Sequence, residues 1–285
     1  MSNPADKEKP MSALFWQNLH ARLAPLVDGF SGVAGVAVRD AASDDSLAIN
    51  GDETFPTAST IKIHVLMQLL ARAEVGEVDW DERISIDPMA LVQGSGVLWH
   101  LTGPVTLSLR DIATLMIIVS DNTATNICID RAGIHGTNAL LRSLGLQQTN
   151  LRRKMLDAIA AVANRENVST PNELVQTILM LHENKPTPWI ADQCLEILRK
   201  PKGGFIDRGL PAGTIFASKP GHVDGAFCDA ALVSLPRRPY ALAVMTKYVQ
   251  CSDREAEEFI ADITAEVHTA MTVLDCSNGF GRIVH

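Results

Sequence analysis

A chain of 285 residues with 46% hydrophobic and 20% charged side chains has the make-up of a soluble globular protein, with room for one large domain or two ordinary ones. Its net charge of −8 argues against nucleic acid as a partner, and no apolar run reaches the ~18 residues of a membrane span. The five cysteines, Cys128, Cys194, Cys228, Cys251 and Cys276, are odd in number and scattered; this fits neither a disulfide nor a zinc framework and predicts free buried thiols.

Residues 1–11 form a polar tail with no apolar segment and no cleavage site, so the expected location is cytoplasmic unless a leader has been removed. An amphipathic helix is predicted over 12–27. Alternating stretches at 32–38 and 46–50 predict a hairpin around 41–45. Residues 58–200 are almost entirely helical in pattern, and strands follow at 214–219, 226–235 and 240–247. A last helix over about 253–274 starts at Ser252, with Glu255 three residues later as a capping partner. Hairpins imply an antiparallel sheet. The expected fold class is therefore α/β (α+β). An α/β lobe (12–57 and 202–285), its sheet flanked by the terminal helices, joins an all-α lobe (58–201) in one integrated catalytic domain.

Ser59 and Lys62 are three residues apart at the head of an apolar run from Ile61 to Ala73 that has no Gly or Pro before Gly76. That spacing puts a nucleophile and an amine on one helical face. In the first turn Ser59 meets free N–H groups and the positive end of the dipole. A buried Lys62 would have a lowered pKa and accept the serine proton as a neutral amine. Taken alone, the pair also reads as a helix cap beside a snorkelling lysine.

Ser120-Asp121-Asn122 lies between two apolar helix candidates, and all three residue types suit a helix stop followed by a cap. The chemical reading is a Ser120 hydroxyl between two lysines and an Asn122 amide for a substrate carbonyl. Ser218-Lys219-Pro220-Gly221 closes the strand candidate at 214–217. It is either a strand end with a Pro-Gly turn or an edge that docks a peptide-like substrate and lends a backbone N–H.

In this order the three elements resemble the serine penicillin-recognising hydrolases, most closely the class A β-lactamases, whose motifs are Ser-x-x-Lys, Ser-Asp-Asn and Lys-Thr-Gly. The third motif appears here as Lys219-Pro220-Gly221. His100-Leu101-Thr102-Gly103, Asn122-Thr123-Ala124-Thr125-Asn126 and Ser169-Thr170-Pro171 extend the resemblance over roughly residues 15–275. It implies a seam between the lobes that holds Ser59, Ser120 and Lys219. It also implies acylation of Ser59, with Lys62 as base, Ser120 passing a proton to the leaving nitrogen and Lys219 adding positive potential. The implied oxyanion hole is the backbone N–H of Ser59 and of His222, next to Gly221. No cofactor or metal is implied. The implied partner is a small-molecule amide, lactam or ester, with neither nucleic acid nor membrane.

Three departures bear on the chemistry. The family's water-activating glutamate follows Thr-x-Leu-x-Arg-x, and here Met155 stands there, in Thr149-Asn150-Leu151-Arg152-Arg153-Lys154-Met155. A thioether cannot take a proton from water. Asp157 is the candidate replacement base, its alternative being a structural cap, and Glu166 reads as a solvated loop charge. Asn167 replaces the family's aspartate partner of the loop arginine, here Arg153. Pro220 replaces a Thr or Ser whose hydroxyl helps hold a substrate carboxylate in the family; proline has neither hydroxyl nor N–H. His222 replaces a small residue and would narrow the site, add an acid or do neither. Trp99, in the loop 93–99, either lines the pocket or packs in the core.

The leading expectation is a serine hydrolase that acylates readily and deacylates β-lactams slowly. A D-Ala-D-Ala-type peptidase or penicillin-binding protein, which also lacks that glutamate, is the first alternative. A sensor that stays acylated is the second, and a glutaminase-like amidase is more distant.

Overall fold

A computed structural model describes residues 13–43 and 45–284; the polar tail lies outside these. Ten α-helices, α1 (Ala13–Asp28), α2 (Lys62–Glu74), α3 (Leu109–Ile118), α4 (Asn122–Ala132), α5 (Ile134–Ser143), α6 (Ala158–Val162), α7 (Pro171–His182), α8 (Pro188–Arg199), α9 (Ile206–Gly209) and α10 (Asp253–Cys276), accompany nine strands among the described residues. The strands are β1 (Val33–Asp40), β2 (Ser46–Ile49), β3 (Phe55–Pro56), β4 (Arg83–Ser85), β5 (Thr106–Ser108), β6 (Val168–Ser169), β7 (Phe216–Val223), β8 (Ala226–Val233) and β9 (Tyr240–Lys247).

Five strands form an antiparallel sheet in the order β2-β1-β9-β8-β7. Every residue of β8 is buried, and so is every residue of β9 but the last. Such continuous apolar strands need cover on both faces of the sheet. One face is covered by α1 and α10. α1 presents Trp16, Leu19, Leu23 and Val27 at helical spacing, and α10 presents Ile260, Ile263, Val267, Met271 and Leu274. The capping box at Ser252 and Glu255 starts α10 as the sequence predicts. On the other face α7 packs against β1 and β9 and leads into a second core built around α2, α3, α4 and α8.

The structure corrects four details of the expected elements. The long helix begins at Lys62, and Ser59 lies in a separate 3-10 turn, Ala58–Ile61. β7 does not end at Lys219 but runs through Pro220 and Gly221 to Val223. Two pairs of short strands, β3 with β6 and β4 with β5, interrupt the helical stretch; they are two or three residues long, too short to show alternation. Of the five free cysteines, Cys128, Cys194 and Cys228 are buried, whereas Cys251 and Cys276 are partly exposed.

β7 is one edge of the sheet, and the 3-10 turn that carries Ser59 packs against it. A proline inside a strand is tolerated at such an edge.

Candidate active site

Two left-handed residues frame the site. Ala58, just before Ser59, has φ +44°, and Ser120 has φ +55°. Non-glycine residues seldom hold this conformation, which costs of order 1–3 kcal/mol. Each is held by its surroundings: the turn before Ser59 by Thr57, whose N–H donates to the Asn167 carbonyl at 2.9 Å, and Ser120 by the buried neighbour Asp121. Asp121 Oδ1 caps α4 at the N–H of Ala124 (2.9 Å), and Oδ2 accepts from the N–H groups of Val97 (2.7 Å) and Leu98 (2.8 Å). One carboxylate thus fixes both the Ser-Asp-Asn turn and the loop above it. Gly96 has to be glycine there: its φ is +107°, and a Cβ would stand 2.3 Å from Asp121 Oδ2.

These elements bring together the expected machinery. Ser120 Oγ donates to Ser59 Oγ at 2.8 Å. Lys62 Nζ donates to Ser120 Oγ at 2.9 Å and to the Ser120 carbonyl at 2.8 Å. Lys219 Nζ donates to Ser120 Oγ at 3.2 Å and to the Pro220 carbonyl at 3.0 Å. Both ammonium groups are buried. Burial, then the charge of Lys219, holds Lys62 well below the ordinary lysine range. Burial brings Lys219 down to about 7, with Asp229 opposing and Lys202 assisting. Burial and the neighbouring charge thus both favour the neutral amine at Lys62.

The direction of the His222 N–H follows from strand register. His222 pairs with Phe227, and Phe227 exchanges its N–H and carbonyl hydrogen bonds with Thr246 Oγ1 on β9 (2.9 and 3.0 Å). Residues facing each other in a non-hydrogen-bonded pair point their backbone groups apart. The N–H of His222 therefore turns away from β8 toward the outer edge of β7, where the Ser59 turn packs. Gly221 permits that approach, since a Cβ on it would lie 2.6 Å from the Ser59 nitrogen. The His222 ring itself stacks on Phe227 (centroids 4.3 Å apart) and stands 3.9 Å from Asp253 Oδ2.

Ser59, Ser120, Lys219, Pro220 and His222 line one open cavity of about 260 Å³, together with Ser95 and Lys202. Lys202 was not among the residues expected there. Asn122 and Trp99 do not line this cavity. Asn122 Nδ2 donates to the Gln93 carbonyl at 3.0 Å, and Trp99 Nε1 donates to the Gly94 carbonyl at 3.0 Å. Both side chains brace the 93–99 loop, and Ser95 is the loop residue that reaches the site.

The loop 149–170 is tied at several points. Glu173 accepts from the N–H groups of Gln147, Gln148 and Thr149 (2.8, 2.9 and 2.7 Å). Asn167 Oδ1 accepts from the N–H groups of Arg152 (2.7 Å) and Arg153 (3.1 Å). Glu166 is not a solvated charge: Arg153 Nε donates to its Oε1 at 2.9 Å, and Nη2 meets the same oxygen. The carboxylate expected to be missing at Asn167 is supplied one residue earlier. Met155 is anchored through Asn126, whose Oδ1 accepts from its N–H at 2.8 Å, and it packs against the helical core. Asp157 is exposed and caps α6 at the N–H of Ala160 (2.9 Å). It does not line the cavity, so its position matches the cap rather than the base.

Comparison with known proteins shows the family and the fold. A model described as the beta-lactamase enzyme family matches residues 18–271. The chain is similar to Beta-lactamase AER-1 of Aeromonas hydrophila, 25% identical over 244 residues that cover 80% of this chain and 78% of the relative. Its fold is similar to a solved beta-lactamase from Sphaerobacter thermophilus DSM 20745 (TM-score 0.83, 30% identity, 90% of this chain and 98% of that one). It is also similar to the solved structure of PBP-A (TM-score 0.81, 28% identity, 90% and 96%).

Proposed function

The chain belongs to the beta-lactamase enzyme family, and from that premise we propose that it is a serine hydrolase that acylates Ser59 and cleaves the C–N bond of a β-lactam or a related amide or ester. The carrying observation is the unbroken chain of hydrogen bonds from Ser59 Oγ through Ser120 Oγ to Lys62 Nζ, with Lys219 beside it, in one cavity.

With Lys62 neutral, the Ser59 proton moves to Ser120 Oγ as the Ser120 proton moves to Lys62 Nζ. Ser59 Oγ bonds to the carbonyl carbon, and the N–H groups of Ser59 and His222 receive the oxyanion. Donors of this kind are typically worth ~3–4 kcal/mol each in the transition state. When the C–N bond breaks, the proton returns from Lys62 through Ser120 to the leaving nitrogen. Lys219 keeps the local potential positive while negative charge develops.

Release of the acyl group requires water to lose a proton near the ester. Met155 offers no base, and Asp157 is engaged as a cap. Deacylation of a β-lactam adduct is therefore slow. A D-Ala-D-Ala-type peptidase is the second reading; the same lack of a base beside the ester and the similarity to PBP-A favour it. Mixing the protein with a chromogenic cephalosporin, following absorbance and taking intact mass tests the proposal, with Ser59→Ala alongside. The expected result is a persistent adduct that Ser59→Ala lacks. Full hydrolysis by Ser59→Ala would remove Ser59 from the mechanism.

A further inference from the structure

We propose that Cys228 is a positioning residue for the acylation of Ser59: its thiol ties the turn that carries Ser59 to the strand that carries Gly221 and His222, and so holds the two halves of the oxyanion site in register. This rests on the acylation reading above.

The tie is made at the Thr57 carbonyl, where three donors converge. Cys228 Sγ donates to it at 2.8 Å, Thr60 Oγ1 at 2.8 Å and the Thr60 N–H at 2.9 Å. Thr57, Thr60 and Cys228 are fully buried, so no water takes the place of a lost donor. The Thr57 carbonyl and the Ala58 N–H share one rigid peptide plane. Turning that carbonyl therefore turns φ of Ala58, which stands at +44°, a value an alanine keeps only where its surroundings impose it. Ala58 in turn carries the peptide of the Ser59 N–H. Both Thr60 donors belong to the same turn and move with it. Of the three donors, Cys228 alone comes from the sheet.

Cys228 also sits where the other half of the site begins. It faces Gly221 across β7 and β8, and its Sγ lies 3.5 Å from the Gly221 carbonyl. That carbonyl shares its peptide plane with the His222 N–H. One sulfur thus touches the plane that bears the His222 donor and the plane that sets the approach to the Ser59 donor. The thiol has a single hydrogen, and the shorter distance assigns it to Thr57. Burial pushes the thiol up to about 12, so the hydrogen stays on sulfur at neutral pH and the sulfur is no rival nucleophile.

The test compares Cys228→Ser, which keeps a donor, with Cys228→Val, which fills the space without one. Quenched intact mass gives the acylation rate constant at saturating chromogenic cephalosporin, the concentration for half-saturation and the pH profile. In Cys228→Val, acylation at least about tenfold slower is expected. Half-saturation and the shape of the pH profile should stay as in the parent, because the Ser120 and Lys62 relay is untouched. Cys228→Ser is expected near the parent rate. Cys228→Ala serves in place of Cys228→Val if thermal melting shows the latter misfolded. A smaller loss in the variant without a donor, an equal loss in Cys228→Ser, or a loss confined to half-saturation would overturn the assignment. So would a lower melting temperature with an unchanged acylation rate, the mark of packing alone. The acylation reading fails by a different result, the absence of any Ser59 adduct in the parent protein, and this assignment would fall with it.

Discussion

Lys62 gives both of its hydrogen bonds to Ser120, at 2.8 Å to the carbonyl and 2.9 Å to Oγ, and Ser120 Oγ donates to Ser59 Oγ at 2.8 Å. The lysine one turn beyond the nucleophile therefore communicates with it through a residue 61 positions away from Ser59. Ser120→Ala should break this relay. The acylation rate constant, followed by quenched intact mass, should fall by ~10²–10⁴-fold, with Ser59 still the modified residue. An acylation rate within threefold of the parent would mean that Lys62 reaches Ser59 directly.

The two buried lysines predict the pH dependence. Acylation needs Lys62 neutral and Lys219 charged. Lys62 is held well below the ordinary range, first by burial and then by Lys219, and Lys219 lies near 7. Raising the pH frees the Lys62 amine and gives the ascending limb. Raising it through about 7 removes the Lys219 charge and gives the descending limb. kcat/KM for an anionic substrate should be bell-shaped. Lys219→Arg, which keeps its charge, should carry the descending limb to higher pH. A rate that climbs without a break to pH 10 would contradict the need for the Lys219 charge.

Met155→Glu should shorten the life of the acyl-enzyme. The backbone at this position is held by Asn126 through the N–H of Met155 (2.8 Å) and its carbonyl (3.3 Å), so a new carboxylate starts from a fixed point. General-base help of this kind is worth ~10²–10⁴-fold when well placed. A gain of at least tenfold in adduct loss, read as mass against time, is expected. Unchanged adduct lifetime would show that more than this side chain separates the site from rapid turnover.

Gly221→Ala should close the oxyanion site. The added methyl would stand 2.6 Å from the Ser59 nitrogen and 2.8 Å from the Thr57 carbonyl, both backbone atoms in a strained turn that has little room to yield. Moving the Ser59 turn off the strand edge should cost about 1–3 kcal/mol of stability and at least 10²-fold in acylation. Thermal melting and stopped-flow mass measurements check both. Normal acylation would place the oxyanion donors elsewhere.

The sheet strands, the terminal helices and the Ser59, Lys62, Ser120 and Lys219 set were all legible in the sequence. Each depends on local pattern: alternation for the stretches at 32–38 and 46–50, apolar spacing for α1, a capping pair for α10, and motif spacing for the nucleophile and its amine. Pro220 was misleading for the same reason. A Pro-Gly pair signals a turn, yet at a sheet edge with no strand on the outer side among the described residues the strand passes through it to Val223.

Other features depend on which distant segments meet. Glu166 was read as a solvated charge because nothing local shows that Arg153, 13 residues earlier, returns to it. Asp121 gave no sign that its carboxylate gathers the N–H groups of Val97 and Leu98, 24 and 23 residues away. Lys202 carries no motif, and its place at the cavity lining depends on how the chain turns after α8, where its Nζ donates to the carbonyls of Leu198 and Lys200. By itself the sequence determined the periodicities and the reactive groups, because these are set by neighbours along the chain. The tertiary structure decided which group each one touches, how much water it loses and hence its proton affinity, because burial and hydrogen-bond partners are properties of the packed fold.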